Sequence, residues 1–171
     1  MEGAYVLLIK LSEKISLNYK GSEYELRDGL YIYVGSAIGY KNAIEKRVAR
    51  HIRKDKKVFW HVDRITSIPQ SEVLGFFVIM SHDKIECDVS QRLFKSGNLS
   101  VPLPRFGASD CKLGCPAHFY YCENHTYTEC IRFLSDVLLK LNKPVLFCRP
   151  IDNAFSCKII NRTNAKKLNQ D

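Results

Sequence analysis

Two apolar segments near the start of the chain constrain the fold more than any other feature of the sequence. Residues 4–11 form a nearly continuous apolar run, and residues 30–34 form a second one. Runs of this length and composition are typical of buried strands. Between them, residues 15–26 alternate polar and apolar side chains around Lys20-Gly21, as an exposed hairpin does. A β-sheet is therefore expected to form from the beginning of the chain.

The rest of the sequence alternates between helical and strand-like patterns. Apolar residues at helical spacing predict helices over residues 42–54, 85–94 and 128–141, with a short helical turn at 61–66. Apolar runs predict further strands at 73–80, 119–122, 144–148 and 155–160. Residues 97–116 are rich in Gly, Pro, Ser and Cys, which predicts a loop held by something other than regular structure. The last eight or so residues are expected to fray.

These patterns predict an α/β (α+β) fold, with a small, mainly antiparallel sheet flanked by helices. A chain of 171 residues with 46% hydrophobic residues has the size of one domain and can bury a core. We expect a domain over residues 1–125, with a C-terminal helix and strand extension over residues 126–171 packed on the same unit.

The sequence offers no membrane or export signal. It has no basic segment followed by a long apolar run at its start, and no apolar run long enough to span a bilayer. A soluble, cytoplasmic protein with no membrane partner is therefore expected. The seven cysteines are odd in number and lie without a secretory signal, which argues against a disulfide framework. Reduced thiols or a metal site are expected instead.

The charge of the chain favours a polyanionic partner. Lys and Arg number 26 against 18 acidic residues, a formal net charge of +8 that makes nucleic acid the first partner to test. The alternative is a solvated basic surface without a partner. Basic residues are densest between positions 41 and 57, on a predicted helix and its exit. The candidate nucleic-acid-binding residues are Lys46, Arg50, Arg53, Lys54, Lys56 and Lys57.

Hydrolysis of a phosphodiester requires a base, a cation on the phosphate and a carboxylate that can hold a metal ion. Tyr5 and Tyr33 lie on two predicted strands, and Arg47 and His51 share one face of the next helix because they are four residues apart. Glu86 lies near the start of a later helix. Alternatively, the tyrosines are ordinary sheet residues, and Glu86 is a carboxylate favoured by the helix dipole in a first turn.

Two further groups of residues are candidates for chemistry. His61 and Asp63 place an imidazole and a carboxylate close together, either as part of a site or as a structural histidine bonded to Asp63. Asp110 is a candidate to line the same cleft.

The cysteine-containing loop has the spacing of a metal site. Cys111, Cys115 and His118 are spaced like zinc ligands, with Cys87 as a possible fourth, in a site that would be structural. The alternative is a group of free, buried thiols around a glycine-rich turn.

These residues resemble the GIY-YIG nuclease superfamily. Its paired strand motifs are similar to Gly3-Ala4-Tyr5 and Tyr33-Val34-Gly35, and its helix motif is similar to Ile44, Arg47 and His51, with Glu86 in the place of its metal-binding glutamate. The archaeal Uri-type branch is similar over most of the first 120 residues. The segments that carry this likeness are 29–39, 47–51, 57–63 and 106–111. Unlike the wider superfamily, this chain has an inserted ribbon over residues 15–26.

The resemblance implies a metal-dependent endonuclease that cuts DNA, structure- or damage-directed, in repair or defence. Glu86 would hold Mg²⁺ or Mn²⁺, Tyr5 would act as general base, and Arg47 would stabilise the charge on the phosphate, while Tyr33 and His51 would position water or phosphate. A tyrosine with a pKa near ~10 needs help to act as a base at neutral pH. RNA is an open alternative substrate, because phosphate contacts do not identify the sugar. The rival function is a non-catalytic nucleic-acid-binding or recruitment module on the same fold.

Overall fold

The computed structural model describes residues 1–123 and 125–168, which form a seven-stranded antiparallel sheet, a separate two-stranded sheet and four α-helices. The strands are β1 (Gly3–Leu11), β2 (Ile15–Tyr19), β3 (Ser22–Leu26), β4 (Gly29–Ala37), β5 (Ser71–Met80), β6 (Leu99–Ser100), β7 (Phe119–Cys122), β8 (Val145–Ile151) and β9 (Ala154–Ile160). The helices are α1 (Ala43–Ile52), α2 (Asp63–Thr66), α3 (Glu86–Lys95) and α4 (Tyr127–Leu139), with a 3₁₀ turn at Ala165–Lys167. The predicted α+β fold with a mainly antiparallel sheet is confirmed.

The large sheet has the strand order β6-β7-β4-β1-β5-β8-β9 and is covered on both faces. On β1, the side chains of Ala4, Val6 and Leu8 pack with those of α3 and α4. Those of Leu7 and Ile9 pack on the other side with α1 and α2. Because both faces of β1 are buried, its sequence is a continuous apolar run and does not alternate.

The hairpin of β2 and β3 lies outside the large sheet and turns at Lys20-Gly21, where both residues have positive φ. Most of its side chains are partly or fully exposed, as predicted, but Tyr19 and Leu26 are buried. The Tyr19 ring packs edge-on against Phe106, with 5.1 Å between the ring centroids. The inserted ribbon is therefore attached to the body of the protein at its base and near its turn.

Several element ends differ from the predictions. β4 continues through Gly35 to Ala37, where the sequence predicted its end, because these residues pair with β1 in full register. Helix α1 ends at Ile52 and not at residue 54, since Arg53 is already extended. At the C-terminus, Ala165–Lys167 form a helical turn in the stretch expected to fray, and residues 169–171 lie outside the described part of the chain.

Arg105 organises the loop between β6 and β7. Its main chain has a positive φ of 61°, and its guanidinium donates hydrogen bonds to the carbonyl oxygens of Cys115 at 2.6 Å and Cys111 at 3.4 Å. On the side of α3, the Ser90 hydroxyl donates to the Ala117 carbonyl at 2.9 Å. The sequence predicted a loop held by something other than regular structure, and these side-chain hydrogen bonds hold it.

One prediction about the cysteines is wrong. Cys148 and Cys157 form a disulfide, although reduced thiols were expected. They face each other in the register of β8 and β9, with their Cα atoms 4.0 Å apart, so the strand pairing itself brings the thiols together. The other five cysteines are free thiols. In the described residues, no helix has both the length and the apolar character needed to cross a membrane.

Candidate functional site

A cavity of about 580 Å³ opens at one end of β1 and β4. Its walls come from these two strands, from α1, from residues 59–61, from the start of α3 and from the loop before β7. It contains most of the candidate catalytic residues, and one candidate zinc ligand, namely Tyr5, Tyr33, Arg47, His61, Glu86, Asp110 and His118. A cavity of about 600 Å³ beside α4 contains none of these residues. The first cavity is therefore the candidate functional site because of its side chains and not because of its size.

The pairing of β1 with β4 places Tyr5 directly opposite Gly35. The phenol lies across this glycine so closely that a Cβ atom at position 35 would come within 2.4 Å of the Tyr5 oxygen. A similar contact occurs at Gly107, where a Cβ atom would lie 2.8 Å from the Tyr33 ring. The two tyrosine rings therefore reach the cavity because glycines leave room for them.

A buried chain of hydrogen bonds runs from the cavity wall into the protein. The Tyr5 hydroxyl lies 2.9 Å from Nε2 of His51, and Nδ1 of His51 lies 2.9 Å from a carboxylate oxygen of Asp63. A carboxylate only accepts hydrogen bonds, so Nδ1 carries the proton and donates it. In the neutral imidazole, Nε2 is then the acceptor for the Tyr5 hydroxyl. His51 thus acts behind Tyr5 and does not itself line the cavity.

The carboxylate of Asp63 is completely buried and has several partners. Its second oxygen accepts hydrogen bonds from the main-chain N–H groups of Phe59 at 3.1 Å and Trp60 at 3.0 Å. Burial by itself would raise the pKa of Asp63, but the hydrogen bonds from His51, Trp60 and Phe59 hold this pKa well below its usual value. Asp63 is therefore an anion at every pH near neutrality.

His61 does not bond to Asp63, so the structural alternative considered for this pair is wrong. Its ring instead packs edge-on against Tyr19 and Phe106, at centroid distances of 6.3 and 5.6 Å, and it lines the cavity. The reason is that Asp63 begins α2 and points toward α1, where it meets His51. The adjacency of His61 and Asp63 in the sequence does not place their side chains together.

The acid–base groups of the site are held in their neutral forms. Burial raises the pKa of Tyr5, and the neighbouring Tyr33 raises it further. Burial also raises the pKa of Tyr33 and lowers that of His51, although Asp63 opposes the shift at His51. At neutral pH the site therefore presents two phenols and a neutral imidazole beside the buried Asp63 carboxylate.

Arg47 supplies a positive charge in the cavity. Its guanidinium carbon lies 4.0 Å from the centroid of the Trp60 ring, a cation–π contact that orients the group. The same guanidinium counteracts the rise in the Tyr5 pKa. Trp60 is in turn fixed by the hydrogen bond from its N–H group to Asp63. Arg47 is thus positioned by the same buried carboxylate that orients His51.

Glu86 is the first residue of α3 and lines the cavity. Its Oε2 atom is buried and has no hydrogen-bond partner among the described residues, and the same holds for Nε2 of His118. Buried polar atoms are nearly always paired, so two such atoms on one cavity wall indicate a place for a ligand. A carboxylate oxygen accepts hydrogen bonds, as does an imidazole nitrogen in the tautomer that leaves it unprotonated, and both atoms can then bind a cation.

The side chains of Cys87, Cys111, Cys115 and His118 come together beside the cavity and could hold a metal ion. Their candidate ligand atoms all lie within 4.8 Å of one another. Cys87 comes from α3 and the other three residues from the loop organised by Arg105. A group of three thiols and one imidazole matches the ligands of structural zinc sites. His118 belongs both to this cluster and to the cavity wall.

The basic residues that were predicted to bind nucleic acid separate into two sets. Lys46, Arg53 and Lys57 are exposed, and Arg50 is partly exposed, with a 2.6 Å hydrogen bond to the Lys57 carbonyl. Two others have their ammonium groups bound within the protein. Lys54 donates to the main-chain oxygens of residues 66, 68 and 71, and Lys56 donates to that of residue 51.

Lys56 in particular belongs to the interior. Its side chain is 1% exposed, and it also donates to the Thr66 hydroxyl at 2.7 Å. Burial lowers the pKa of Lys56 to about 8, and nearby Asp63 opposes this shift. Lys56 therefore holds the segment after α1 in place from the interior. Lys54 is an exposed residue, although its ammonium group donates to main-chain oxygens.

Residues 4–139 match the family described as "Domain of unknown function DUF123". The chain belongs to this family. The DUF123 match includes β4, α1, α3 and all of β1 except Gly3, and with them the candidate site residues described above. Neither the curated proteins nor the solved structures give a match.

Three features of the site have no local signal in the sequence. The bond between His51 and Asp63 joins residues twelve positions apart on different helices. The contacts of Arg105 are made to main-chain oxygens, which every residue has. The exposed Phe59 at the cavity mouth looks, in the sequence, like part of an apolar motif. Each of these arises from tertiary packing and not from periodicity.

Asp63→Asn should lower the free energy of unfolding at pH 7 by about 2 kcal/mol, because the amide cannot accept all the hydrogen bonds that the buried carboxylate accepts. A lowered folded-state pKa means that the wild-type carboxylate stabilises the fold above its unfolded pKa, and that this stability is lost on acidification. The difference in the free energy of unfolding between wild type and Asp63→Asn, measured by urea unfolding, should therefore narrow from about pH 5 downward.

The exposed Asp55 provides the matched control. Asp55→Asn should leave the free energy of unfolding nearly unchanged at each pH. A difference between wild type and Asp63→Asn that stays constant from neutral to acid pH would contradict the assigned charge of Asp63.

Proposed function

We propose that this chain is a metal-dependent endonuclease that hydrolyses phosphodiester bonds in DNA. The single observation that carries the proposal is the convergence of Tyr5, Tyr33, Arg47 and Glu86 on one cavity. A base, a cation and a carboxylate with an unpartnered oxygen are the groups that this reaction needs. The resemblance to the GIY-YIG superfamily and its Uri-type branch, through the same residues, supports the proposal.

The hydrogen-bonded chain behind Tyr5 answers the objection that a phenol is a poor base. As a water oxygen attacks phosphorus, the water proton passes to the Tyr5 oxygen, and the phenol proton passes to Nε2 of His51. The bond from phosphorus to the leaving oxygen then breaks, its electron pair stays on that oxygen, and a proton from solvent neutralises the oxygen. Tyr5 relays the proton without persisting as a phenolate, which its raised pKa would disfavour. Asp63 stabilises the resulting imidazolium of His51.

Arg47 and Tyr33 act on the phosphate in this proposal. The guanidinium of Arg47, held against Trp60, lies where it can neutralise charge that grows on the phosphate oxygens. Tyr33 has a buried ring whose centroid lies 6.5 Å from that of Tyr5, and its neutral hydroxyl can donate a hydrogen bond to a phosphate oxygen. Asp110 and His61 complete the wall around the substrate.

Glu86 is the residue that would hold a divalent ion, Mg²⁺ or Mn²⁺. Its buried, unpartnered Oε2 fits this role, because a hard cation binds carboxylate oxygens. When bound, such an ion supplies charge on the scissile phosphate and lowers the pKa of water. The protein contributes the fixed position of Glu86 at the beginning of α3.

The cluster of Cys87, Cys111, Cys115 and His118 is proposed to bind a structural zinc ion. Thiolate and imidazole ligands select zinc over magnesium. The ligands join the beginning of α3 to the loop before β7, so a bound ion would fix the positions of Glu86 and Asp110 relative to each other. The zinc is assigned to structure because all four positions are filled by protein ligands.

DNA is the proposed partner, and the net charge of +8 provides a sequence-independent attraction to its phosphates. The exposed side chains of Lys46, Arg53 and Lys57 lie on α1 and on the segment that follows it. These phosphate contacts do not distinguish DNA from RNA.

The first test of this function is cleavage of labelled duplex, single-stranded, flapped and base-damaged DNA with Mg²⁺ or Mn²⁺ at fixed low salt. Arg47→Ala and Glu86→Ala should each slow cleavage at least about 100-fold, because each removes a group that stabilises the transition state. Arg132→Ala and Glu13→Ala, which change exposed residues outside the cavity, are the matched controls. Binding of every substrate without cutting would favour the non-catalytic recruitment module.

The relay predicts a specific pH dependence. The wild-type rate should fall on the acid side, because a protonated His51 cannot accept the proton of Tyr5. Since burial lowers the pKa of His51, this fall should occur below the ordinary value of about 6.5. His51→Asn should be about 100-fold slower and should lack this acid limb in a plot of log kcat/KM against pH. An unchanged acid limb in the variant would assign the titration to another group.

The proposed zinc site predicts about one bound zinc ion per chain, measured by atomic emission after purification. Cys115→Ser should remove most of this zinc, because it replaces a buried thiolate ligand. Cys130→Ser should retain the zinc, since Cys130 is equally buried but contacts Cys122 away from the cluster. Equal zinc content in the two variants would contradict the assignment.

A further inference from the structure

Phe59 is the most exposed large hydrophobic side chain in the described part of the chain, with 72% of its surface accessible. It lies on the wall of the candidate cavity, next to Trp60. The preceding residue, Val58, is also 47% exposed. Such an apolar group at the mouth of a polar cavity does not contribute its surface to the core, so its position requires another explanation.

The segment that carries Phe59 is held in place. Its N–H group donates to the buried carboxylate of Asp63 at 3.1 Å. Its ring contacts Trp60 edge-on, with 4.8 Å between the centroids, and Trp60 contacts Arg47 on its face. The exposed ring is therefore presented from a fixed base, beside the guanidinium that faces the cavity.

The surroundings of Phe59 offer a nucleotide both positive charge and an exposed aromatic face. The cavity beside it offers Arg47 to a phosphate, and the exposed Arg53 and Lys57 add positive charge on the same segment. An aromatic face next to a cationic groove is the arrangement by which proteins bind single-stranded nucleic acid, with bases stacked on the rings. In a continuous duplex both faces of a base are covered by its neighbours, so only an unpaired or terminal base is free to stack on Phe59.

We propose that Phe59 is a stacking platform for an unpaired nucleobase next to the phosphate in the cavity. The substrate class is then a single strand, or a duplex with an unpaired nucleotide at the site of cleavage. This inference rests on the proposed nuclease function, because it uses the same cavity for the phosphate. It adds a specificity-determining residue outside the reacting groups.

Binding of oligonucleotides that contain 2-aminopurine, without added Mg²⁺ or Mn²⁺, tests this proposal. The probes are a single strand, a duplex with one unpaired 2-aminopurine and a fully paired duplex. Wild-type protein should quench the fluorescence of the unpaired base and bind the first two probes more tightly. Phe59→Ala should weaken binding of these two about 10-fold and leave the paired duplex nearly unchanged, as the loss of one base–aromatic stack implies.

Three further variants identify the cause of any loss. Phe59→Trp should retain quenching and affinity because it keeps an aromatic face, whereas Phe59→Leu should behave like Phe59→Ala. Ile159→Ala removes an apolar side chain that is 67% exposed on β9, away from the cavity, and should change nothing. Equal binding by wild type and Phe59→Ala, or an equal loss on paired and unpaired probes, would overturn the proposal.

The binding test of Phe59 and the cleavage test of the nuclease can fail independently of each other. Binding is measured without the catalytic metal, so a missing Phe59 effect overturns the stacking platform alone. Absence of cleavage in the presence of Mg²⁺ and Mn²⁺, with the Phe59 effect intact, overturns the nuclease and leaves a module that binds unpaired bases.

Discussion

The buried carboxylate of Asp63 is the interaction on which the candidate site depends. It fixes the imidazole of His51 from one side and the N–H groups of Phe59 and Trp60 from the other. Through Trp60 it also sets the position of Arg47. An unpaired buried charge would be costly, and here three donors satisfy it. One residue thereby joins helix α1, the segment that follows it and the cavity wall into a single rigid arrangement.

In the proposed reaction, the site combines groups that would be poor catalysts alone. Burial favours the neutral forms of Tyr5, Tyr33 and His51, so none of them carries charge at neutral pH. Tyr5 and His51 are aligned in a hydrogen-bonded chain, so in the proposed reaction a proton can pass along this chain without a lowered Tyr5 pKa. Asp63 lies at one end of this chain, and the positive charge of Arg47 acts on Tyr5 at the other.

Much of the fold could be predicted because its helices and strands follow local patterns. Continuous apolar runs marked β1 and β5, and helical spacing marked α1, α3 and α4. The convergence of Tyr5, Arg47 and Glu86 was expected from the resemblance to a known superfamily. The hydrogen-bond partner of Asp63 could not be predicted. His61 is nearer to Asp63 in the sequence, but the packing of α2 against α1 brings Asp63 to His51. The disulfide likewise depends on the register of β8 with β9, which cysteine counting does not detect.

The hairpin of β2 and β3 connects two strands that are neighbours in the large sheet, yet it leaves their register intact. Lengthening a connection of this kind costs little conformational entropy, because the cost of closing a loop grows only with the logarithm of its length. Tyr19, beside the hairpin turn, nevertheless packs against His61 on the cavity wall. The hairpin is therefore a part of the chain where evolution can add, remove or reshape contacts near the site while the sheet that carries Tyr5 and Tyr33 stays the same.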